Sequence, residues 1–453
     1  MKTVLIIAVI LLSVVHGYTQ TTNINLGATT VQATSIYTSA QVPWELKYGS
    51  DNFLWMTTRE GSVYRVDPAN GAATLILDHT GPVEAQSESG MLGMVFHPDF
   101  PTTPYLYIVY TYLTGGLIKE RVSRFTYAAG VLGSELIILD GGNIAGATIH
   151  NGSRLVILPD NTLLMTTGDA ANQPLAQNMS SLNGKVLRMN LDGTIPADNP
   201  FPGSYVYSLG HRNAQGLMLH PNGKVYSTEH GPNNNDEFQI IEAGRNYGWP
   251  SVQGFCDNDV AGETAFCTAN NVKEPLASWN PAPGGTWAPN DLIWYTSPAI
   301  PEFQNSVLVT FLKTNKLRRI QMNGAGDAIT AQADFFVNQW GRLRDITSSP
   351  AGEIFLATNT SPYRIIRIRN LTSVTGYYRT RATGNWNNIA TWEVSPDNVT
   401  WYSAASSPDY NANTISILNG HTVTVTANVI ADQVIVSTGG VVVVNSGIIM
   451  TVK

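Results

Sequence analysis

Charge is scarce in this chain. Asp, Glu, Lys and Arg make up 13% of its 453 residues, against 43% hydrophobic. Apolar content of that size can build a core and excludes a disordered polypeptide. No long basic run occurs and the formal net charge is -7, which argues against nucleic acid as a partner. Cysteine is scarcer still, limited to Cys256 and Cys267. A pair without His or Cys companions is poor material for a zinc site. There is no nucleotide-binding loop and no nucleophile elbow. No helical period of useful length is visible, and after the N-terminal stretch no apolar run is long enough to span a bilayer.

That N-terminal stretch, Met1 to Gln20, reads as a secretory signal. Lys2 supplies the positive start, Val4 to Val15 the apolar core, and His16 to Gln20 a polar exit without a clean small-x-small cleavage site. The expectation is an exported protein, periplasmic, secreted or at the cell surface, with no membrane span in its mature chain. An oxidising compartment then favours a disulfide between Cys256 and Cys267 over two buried thiols.

What the chain has in abundance is turn and strand chemistry: 40 Gly, 24 Pro, 19 Tyr and 10 Trp. The stretch Tyr205 to Pro250 is the clearest unit. Gly216 to Leu219 and Lys224 to Ser227 are apolar runs joined by His220-Pro221-Asn222-Gly223, whose Asn-Gly tolerates positive φ, so they predict a β-hairpin. Similar units recur at Asp51 to Val66, Tyr105 to Phe125, Leu155 to Met189, Ser306 to Ile320 and Ser349 to Ile368. Short strands at this spacing predict an all-β fold, a six-bladed β-propeller with a small C-terminal β module. The propeller is assigned to residues 21–372, with its repeats between about 40 and 370. The Trp and Tyr excess is read as blade core.

Beyond Leu371 the texture changes. Val/Ile runs alternate with Asn-Gly, Gly-Gly and Ser-Gly turns, which predicts a solenoid or a small sandwich over 373–453. The rhythm is still running at Lys453, as in a module cut short. Capping, carbohydrate binding and surface attachment all remain open for it.

Polar loops interrupt the strands at Ser87 to Gly90, Thr148 to Arg154, Gly210 to Asn213, Glu229 to Pro232, Gly285 to Pro289, Leu312-Lys313 and Arg342 to Asp345. In a propeller, equivalent loops gather around the axis on one face. His150, Arg212, Lys313, Arg342 and Arg344 would then converge. Four cations in an otherwise acidic protein call for a small polyanionic ligand, and planar Arg forks suit carboxylates.

These motifs carry a resemblance. Gly90-Met91-Leu92-Gly93 with His97-Pro98-Asp99-Phe100, Gly184 to Arg188 with Asp192-Gly193, Leu209 to Asn213, and Asn246 to Pro250 occur in order over roughly Gln41 to Asn370. In them the chain resembles the soluble glucose/sorbosone dehydrogenases that use pyrroloquinoline quinone, and most nearly their aldose sugar dehydrogenase branch. The resemblance implies oxidation of aldoses at C1 to lactones, with electrons passed to an external acceptor. It implies His150 as the general base, and Arg212 and Asn213 against the quinone oxygens. It places Glu88, Thr286, Lys313, Arg342 and Arg344 at cofactor positions. It makes the backbone carbonyls of Gly231 and Pro232 ligands of a calcium ion, which suits a hard cation. Glu88 stands where glucose-specific members have Gln, Ile149 where they have Asp, and His230 where they have Gln. These departures mark the aldose branch and leave the partner that orients His150 open. Asp236, Glu237, His97, His211 and His220 are read as structural.

Two other functions stay in view. A calcium-dependent propeller lactonase would need several carboxylate or Asn ligands at the axis. A non-catalytic sugar- or protein-binding propeller would have lost the cationic positions.

Overall fold

The computed structural model describes residues 21–140, 144–279, 285–370, 376–395, 398–409, 412–431 and 433–452. The secretory signal expected at Met1 to Gln20 lies outside the described residues. Five four-stranded antiparallel sheets follow one another along the chain, and a sixth, five-stranded, is completed by the first two described strands, giving a six-bladed β-propeller. Blades 1 to 5 start with the inner strands Pro43–Tyr48, Met91–Phe96, Gly152–Ile157, Ala214–Leu219 and Pro289–Tyr295. Blade 6 runs Leu343–Ser348, Ile354–Thr358, Tyr363–Asn370 and then takes Thr30–Ser39 and Thr21–Asn25 as its outer strands. Val31 to Ser39 pairs antiparallel with Asn370 to Tyr363. The first described strands thus close the ring by laddering onto the last blade, and no period in the sequence announces it.

Hydrophobic faces of neighbouring blades pack against each other. Trp55 and Val63 of blade 1 meet Met91, Met94 and Leu106 of blade 2 in one cluster, while Tyr295 and Leu308 of blade 5 meet Leu343 and Ile366 of blade 6 in another. The inner strands and their hairpin partners are buried on both faces, as in Leu54–Thr58, Thr162–Thr167 and Ser306–Phe311, which explains the near-continuous apolar runs read in the sequence, while outer strands such as Ile329–Phe335 alternate. The central hairpin is there as expected, Ala214–Leu219 with Val225–Glu229. Val206–Leu209, just before it, is the outer strand of blade 3.

All six inner strands share one irregularity. Each slips register near its first residues, between Pro43/Leu46, Met91/Met94, Gly152/Leu155, Ala214/Gly216, Pro289/Leu292 and Leu343/Asp345. A bulge re-aims side chains where a strand begins. Here six of them act at the same end of the molecule, where the inner strands enter the axis.

One helix, Glu263–Asn270, departs from the all-strand expectation. It lies in the long connection of blade 4 and is stapled to the preceding loop by the Cys256–Cys267 disulfide, Cα–Cα 6.3 Å. At eight residues it is too short to stand alone in water and too short to leave a period in the sequence. Among the described residues no helix is long and apolar enough to cross a membrane.

From Tyr377 on, the pairing is mixed: Tyr377 to Thr380 pairs antiparallel with Ser395 to Trp392, and Glu393-Val394 with Ser403-Tyr402, while the remaining ladders are parallel. Tyr377 to Arg379 pairs with Thr414 to Ser416, Ile415 to Ile417 with Val434 to Val436, and Thr422 to Val425 with Val441 to Val444. The parallel stacking of the later short strands is solenoid-like, and it is laid beside an antiparallel edge in the same sheet. Its interior holds Ile415, Ile417, Val423, Val425, Trp386 and Trp392.

Candidate functional site

In an up-and-down blade, the start of the first strand and the link from the second to the third strand lie at the same end. Glu88, His150, Arg212, Asn213, Thr286 and Arg342 immediately precede or lie close before inner strands, and Arg344 lies inside one. Gly231, Pro232 and Lys313 follow second strands. All ten line one axial cavity of about 410 Å³. Arg59, Gln215, His230 and Asn359 line it too.

Local backbone chemistry aims the loops. His150 has φ +59°, the left-handed region that a bulky residue enters only when its surroundings demand it. Gly168 makes room for it, since a Cβ there would sit 1.8 Å from the His150 carbonyl oxygen. The His150 amide donates to Glu88 Oε2 at 3.1 Å, which ties the loop to blade 2. Gly231 is equally constrained, because a Cβ there would meet the Asn234 carbonyl oxygen at 1.8 Å. Its amide donates to Asp236 Oδ1 at 3.0 Å, while Asp236 Oδ2 accepts from the amides of Trp287 and Ala288. The buried Asp236 therefore buckles the Gly231-Pro232 turn to the blade 5 loop carrying Thr286. Burial pushes its carboxyl up to about 6, against those three amides.

The partner of His150 is Asp169. His150 Nδ1 lies 2.8 Å from Asp169 Oδ1. Asp169 also accepts from Trp249 Nε1 at 2.9 Å and from the Ala171 amide at 2.8 Å, and it is fully buried. A carboxylate only accepts, so Nδ1 carries the proton and Nε2 keeps the lone pair. No described residue hydrogen-bonds that Nε2. The pair can therefore take a proton from a ligand in the cavity and hold the resulting imidazolium.

Asp169 was not among the residues singled out from the sequence. A signal was present: Asp169 sits two residues after the second strand of blade 3, as Lys313 does in blade 5 and Gly231 in blade 4. One residue earlier in the same link, directly after the second strand, stand Arg59 and Asn359 in blades 1 and 6.

The cavity is electropositive. Arg212, Lys313, Arg342 and Arg344 line it, and none forms a salt bridge with any described residue. Arg212 donates to the His230 carbonyl at 3.1 Å and lies over the Trp249 ring at 5.4 Å. Arg344 donates to Gln215 Oε1 at 2.9 Å, but its Nε is buried without a partner. Burial, with Arg342 and Arg154 nearby, pulls its guanidinium down to about 10 despite the opposing pull of Glu88. Asn213 Nδ2 is a second buried donor without a partner. Burial and the Arg212 and Arg344 charges bring His230 down to about 3, so its imidazole is neutral and adds no charge. The carbonyl oxygens of Gly231 and Pro232 accept no hydrogen bond from any described residue. Among the described residues no group of three or more His, Cys, Asp or Glu side chains converges as a metal cage.

Beneath the cavity the axis is closed by charge. Arg154 of blade 3 is fully buried and pairs with Glu45 of blade 1, with Asp345 of blade 6 at 2.6 Å and with Asp291 of blade 5 at 3.6 Å. Its Nε donates to the Gln215 carbonyl of blade 4 at 2.9 Å. Gln215 in turn holds Arg344 and Asn213, so this hub is the floor on which the site rests.

Glu120 lies just outside it, wholly buried and bonded only to Ser153 at 2.9 Å. Burial pushes its carboxyl up to about 8. An acid whose folded pKa is raised costs stability as pH climbs from its unfolded value, near 4.5, through about 8. Glu120→Gln keeps the shape and removes the titration. Urea denaturation should then show the variant losing less stability than the native chain between pH 5 and pH 8; equal losses would contradict the assignment.

The comparisons with known proteins fit this geometry. Residues 40–367 match the model of the glucose/sorbosone dehydrogenase family. Quinoprotein glucose dehydrogenase B of Acinetobacter calcoaceticus is 30% identical, over 72% of this chain and 85% of that protein. The aldose sugar dehydrogenase of Escherichia coli is 27% identical, over 72% of this chain and 89% of its own. The solved PQQ-bound form of aldose sugar dehydrogenase from Streptomyces coelicolor superposes with a TM-score of 0.64 at 28% identity, over 78% of this chain and 98% of that one. With a family match spanning nearly the whole propeller, this chain belongs to the glucose/sorbosone dehydrogenase family.

Proposed function

We propose that the protein is an exported quinoprotein that oxidises aldose sugars at C1 to lactones, using calcium-bound pyrroloquinoline quinone and an external electron acceptor. The observation that carries this is the cavity lining: four cations without carboxylate partners, orphaned donors on Arg344 and Asn213, and two unused carbonyls beside a base. Buried donors and charges left this way require a ligand rich in acceptors.

In this reading Lys313, Arg342 and Arg344 hold the cofactor's carboxylates, with Thr286 and Glu88 beside them. Arg212 and the free amide of Asn213 face its quinone oxygens. The Gly231 and Pro232 carbonyls ligate the cation, consistent with oxygen-donor calcium chemistry. When bound, the quinone supplies a hydride-accepting centre and the divalent ion a Lewis acid. His150, oriented by Asp169, takes the proton of the sugar's C1 hydroxyl at Nε2. Met1 to Gln20 directs export.

The deciding experiment is reconstitution of the full chain with pyrroloquinoline quinone and calcium, followed by absorbance and dye reduction with aldoses. A bound-cofactor spectrum with aldose-dependent turnover supports the reading, and neither appearing rejects it. Asp169→Asn should lower turnover by about 10²-fold or more, since an amide cannot accept from both the His150 ring and the Trp249 indole. Steady-state kinetics of the reconstituted variant check this; native turnover would remove Asp169 from the mechanism.

A further inference from the structure

We infer that Trp249 is a positioning residue that sets the proton acceptor and Arg212 against one another from behind the cavity. The inference rests on the proposed reading of His150 as the base. Trp249 does not line the main cavity and sits behind it, 5% exposed. Its indole N–H donates to Asp169 Oδ2 at 2.9 Å, on the oxygen that His150 leaves free. The face of the same ring lies 5.4 Å from the Arg212 guanidinium carbon. One rigid side chain thus lies against both the carboxylate that orients His150 and the cation whose backbone carbonyl accepts from the Asp169 amide at 2.8 Å.

The backbone of Trp249 is itself anchored at both its polar groups. Its amide donates to the Gly210 carbonyl at 3.0 Å, and its carbonyl accepts from Gln177 Nε2 at 2.7 Å. Gln177 is locked in turn to Asn246 by reciprocal amide bonds of 2.9 and 2.8 Å. The Gln173–Ala176 turn beside it is held down by Lys185, whose buried Nζ donates to the carbonyls of Leu175, Ala176 and Asn183. A fully satisfied network of this kind has one arrangement. It gives physical work to two sequence motifs, Gly184-Lys185 and Asn246 to Pro250, that reach no cavity ligand themselves.

The chemistry follows from the acceptor count. Asp169 Oδ1 serves His150 and the Ala171 amide, and Oδ2 serves Trp249. Without the indole N–H the carboxylate can rotate, and its charge is less dispersed. Its hold on the Nδ1–H of His150 then changes in strength and geometry. The other titratable or charged groups around His150 are Glu88 from blade 2, and Arg212 and the neutral His230 from blade 4.

The test uses the full chain and Trp249→Phe, which keeps a ring beneath Arg212 and deletes only the donor. In the cofactor-free protein, the downfield proton resonance of His150 Nδ1–H, assigned by its loss in His150→Ala, should shift or broaden in Trp249→Phe. In the reconstituted protein, kcat should fall about tenfold with KM for the sugar little changed, and the acid limb of kcat/KM should move to higher pH, because a less solvated carboxylate holds the imidazolium more tightly. An unchanged resonance and an unchanged acid limb overturn the inference. Because the resonance requires no turnover, failure of the enzyme reading and failure of this inference are separable. Should Trp249→Phe fold poorly by circular dichroism, Gln177→Leu frees the Trp249 carbonyl instead; the same spectral change supports the inference and its absence overturns it.

Discussion

His150→Ala is expected to abolish sugar oxidation while leaving cofactor binding nearly intact. A positioned general base contributes about 10²–10⁴-fold, and no second group in the cavity can replace this one. Glu88 is the nearest candidate, but its Oε2 is committed to the His150 amide. His230 is neutral with Nε2 committed to the Pro289 carbonyl at 2.8 Å, and the remaining polar side chains of the lining are cations, amides and the hydroxyls of Ser87 and Thr286, none of them a base near neutral pH. The cations proposed to hold the cofactor come from blades 4, 5 and 6, so removing the blade 3 imidazole leaves them in place. Cofactor titration by absorbance and single-turnover reduction by an aldose separate the two effects. Turnover within a few fold of the native protein would exclude His150 as the base. Loss of cofactor binding would instead assign it to the cofactor's seat.

Arg154→Met should be the most damaging substitution for the fold. It leaves Glu45, Asp291 and Asp345 buried together without the cation that joins them. Burial opposes the Arg154 charge, but the three carboxylates outweigh it and push its pKa up, while burial and Asp291 push Asp345 well above the carboxylate range. Breaking such a hub by removing one partner costs about 3–5 kcal/mol, a large share of the 5–15 kcal/mol that holds a typical domain. Lys47, paired with Glu45, neutralises only part of the remainder. The lone carboxylates must then take up protons, so their folded pKa values rise and the variant loses further stability as pH increases. Urea denaturation at pH 5 and pH 8 should show a lowered midpoint with a larger deficit at pH 8. A loss below about 1 kcal/mol, or one independent of pH, would mean that the hub is not the keystone of the axis. Cofactor affinity should fall alongside, since Gln215 loses the Nε donor that fixes its carbonyl and with it the support of Arg344 and Asn213.

Much of this protein is legible in one dimension. A strand's pleat and a turn's φ are local, so Pro159-Asp160-Asn161 or Pro221-Asn222-Gly223 between apolar runs marks a hairpin wherever it falls. Six such hairpins with polar residues at corresponding ends sufficed to bring His150, Arg212, Lys313, Arg342 and Arg344 to one face, while Glu88, Asn213, Thr286, Gly231 and Pro232 were singled out by the family resemblance; all ten line the one cavity. Tertiary structure alone decided how that face is held. Asp169 meets Trp249 across 80 positions, Arg154 meets Glu45 across 109 and Asp345 across 191. The strand Thr30–Ser39 finds its place only on Tyr363–Asn370. Solenoid and sandwich were indistinguishable in the alternating Val/Ile runs, because both present the same two-residue period and differ only in which distant strand pairs alongside. Local chemistry determines each blade and what its loops carry, while the partner of His150, the floor of the cavity and the closure of the ring arise from contacts made only once the blades stand around a common axis.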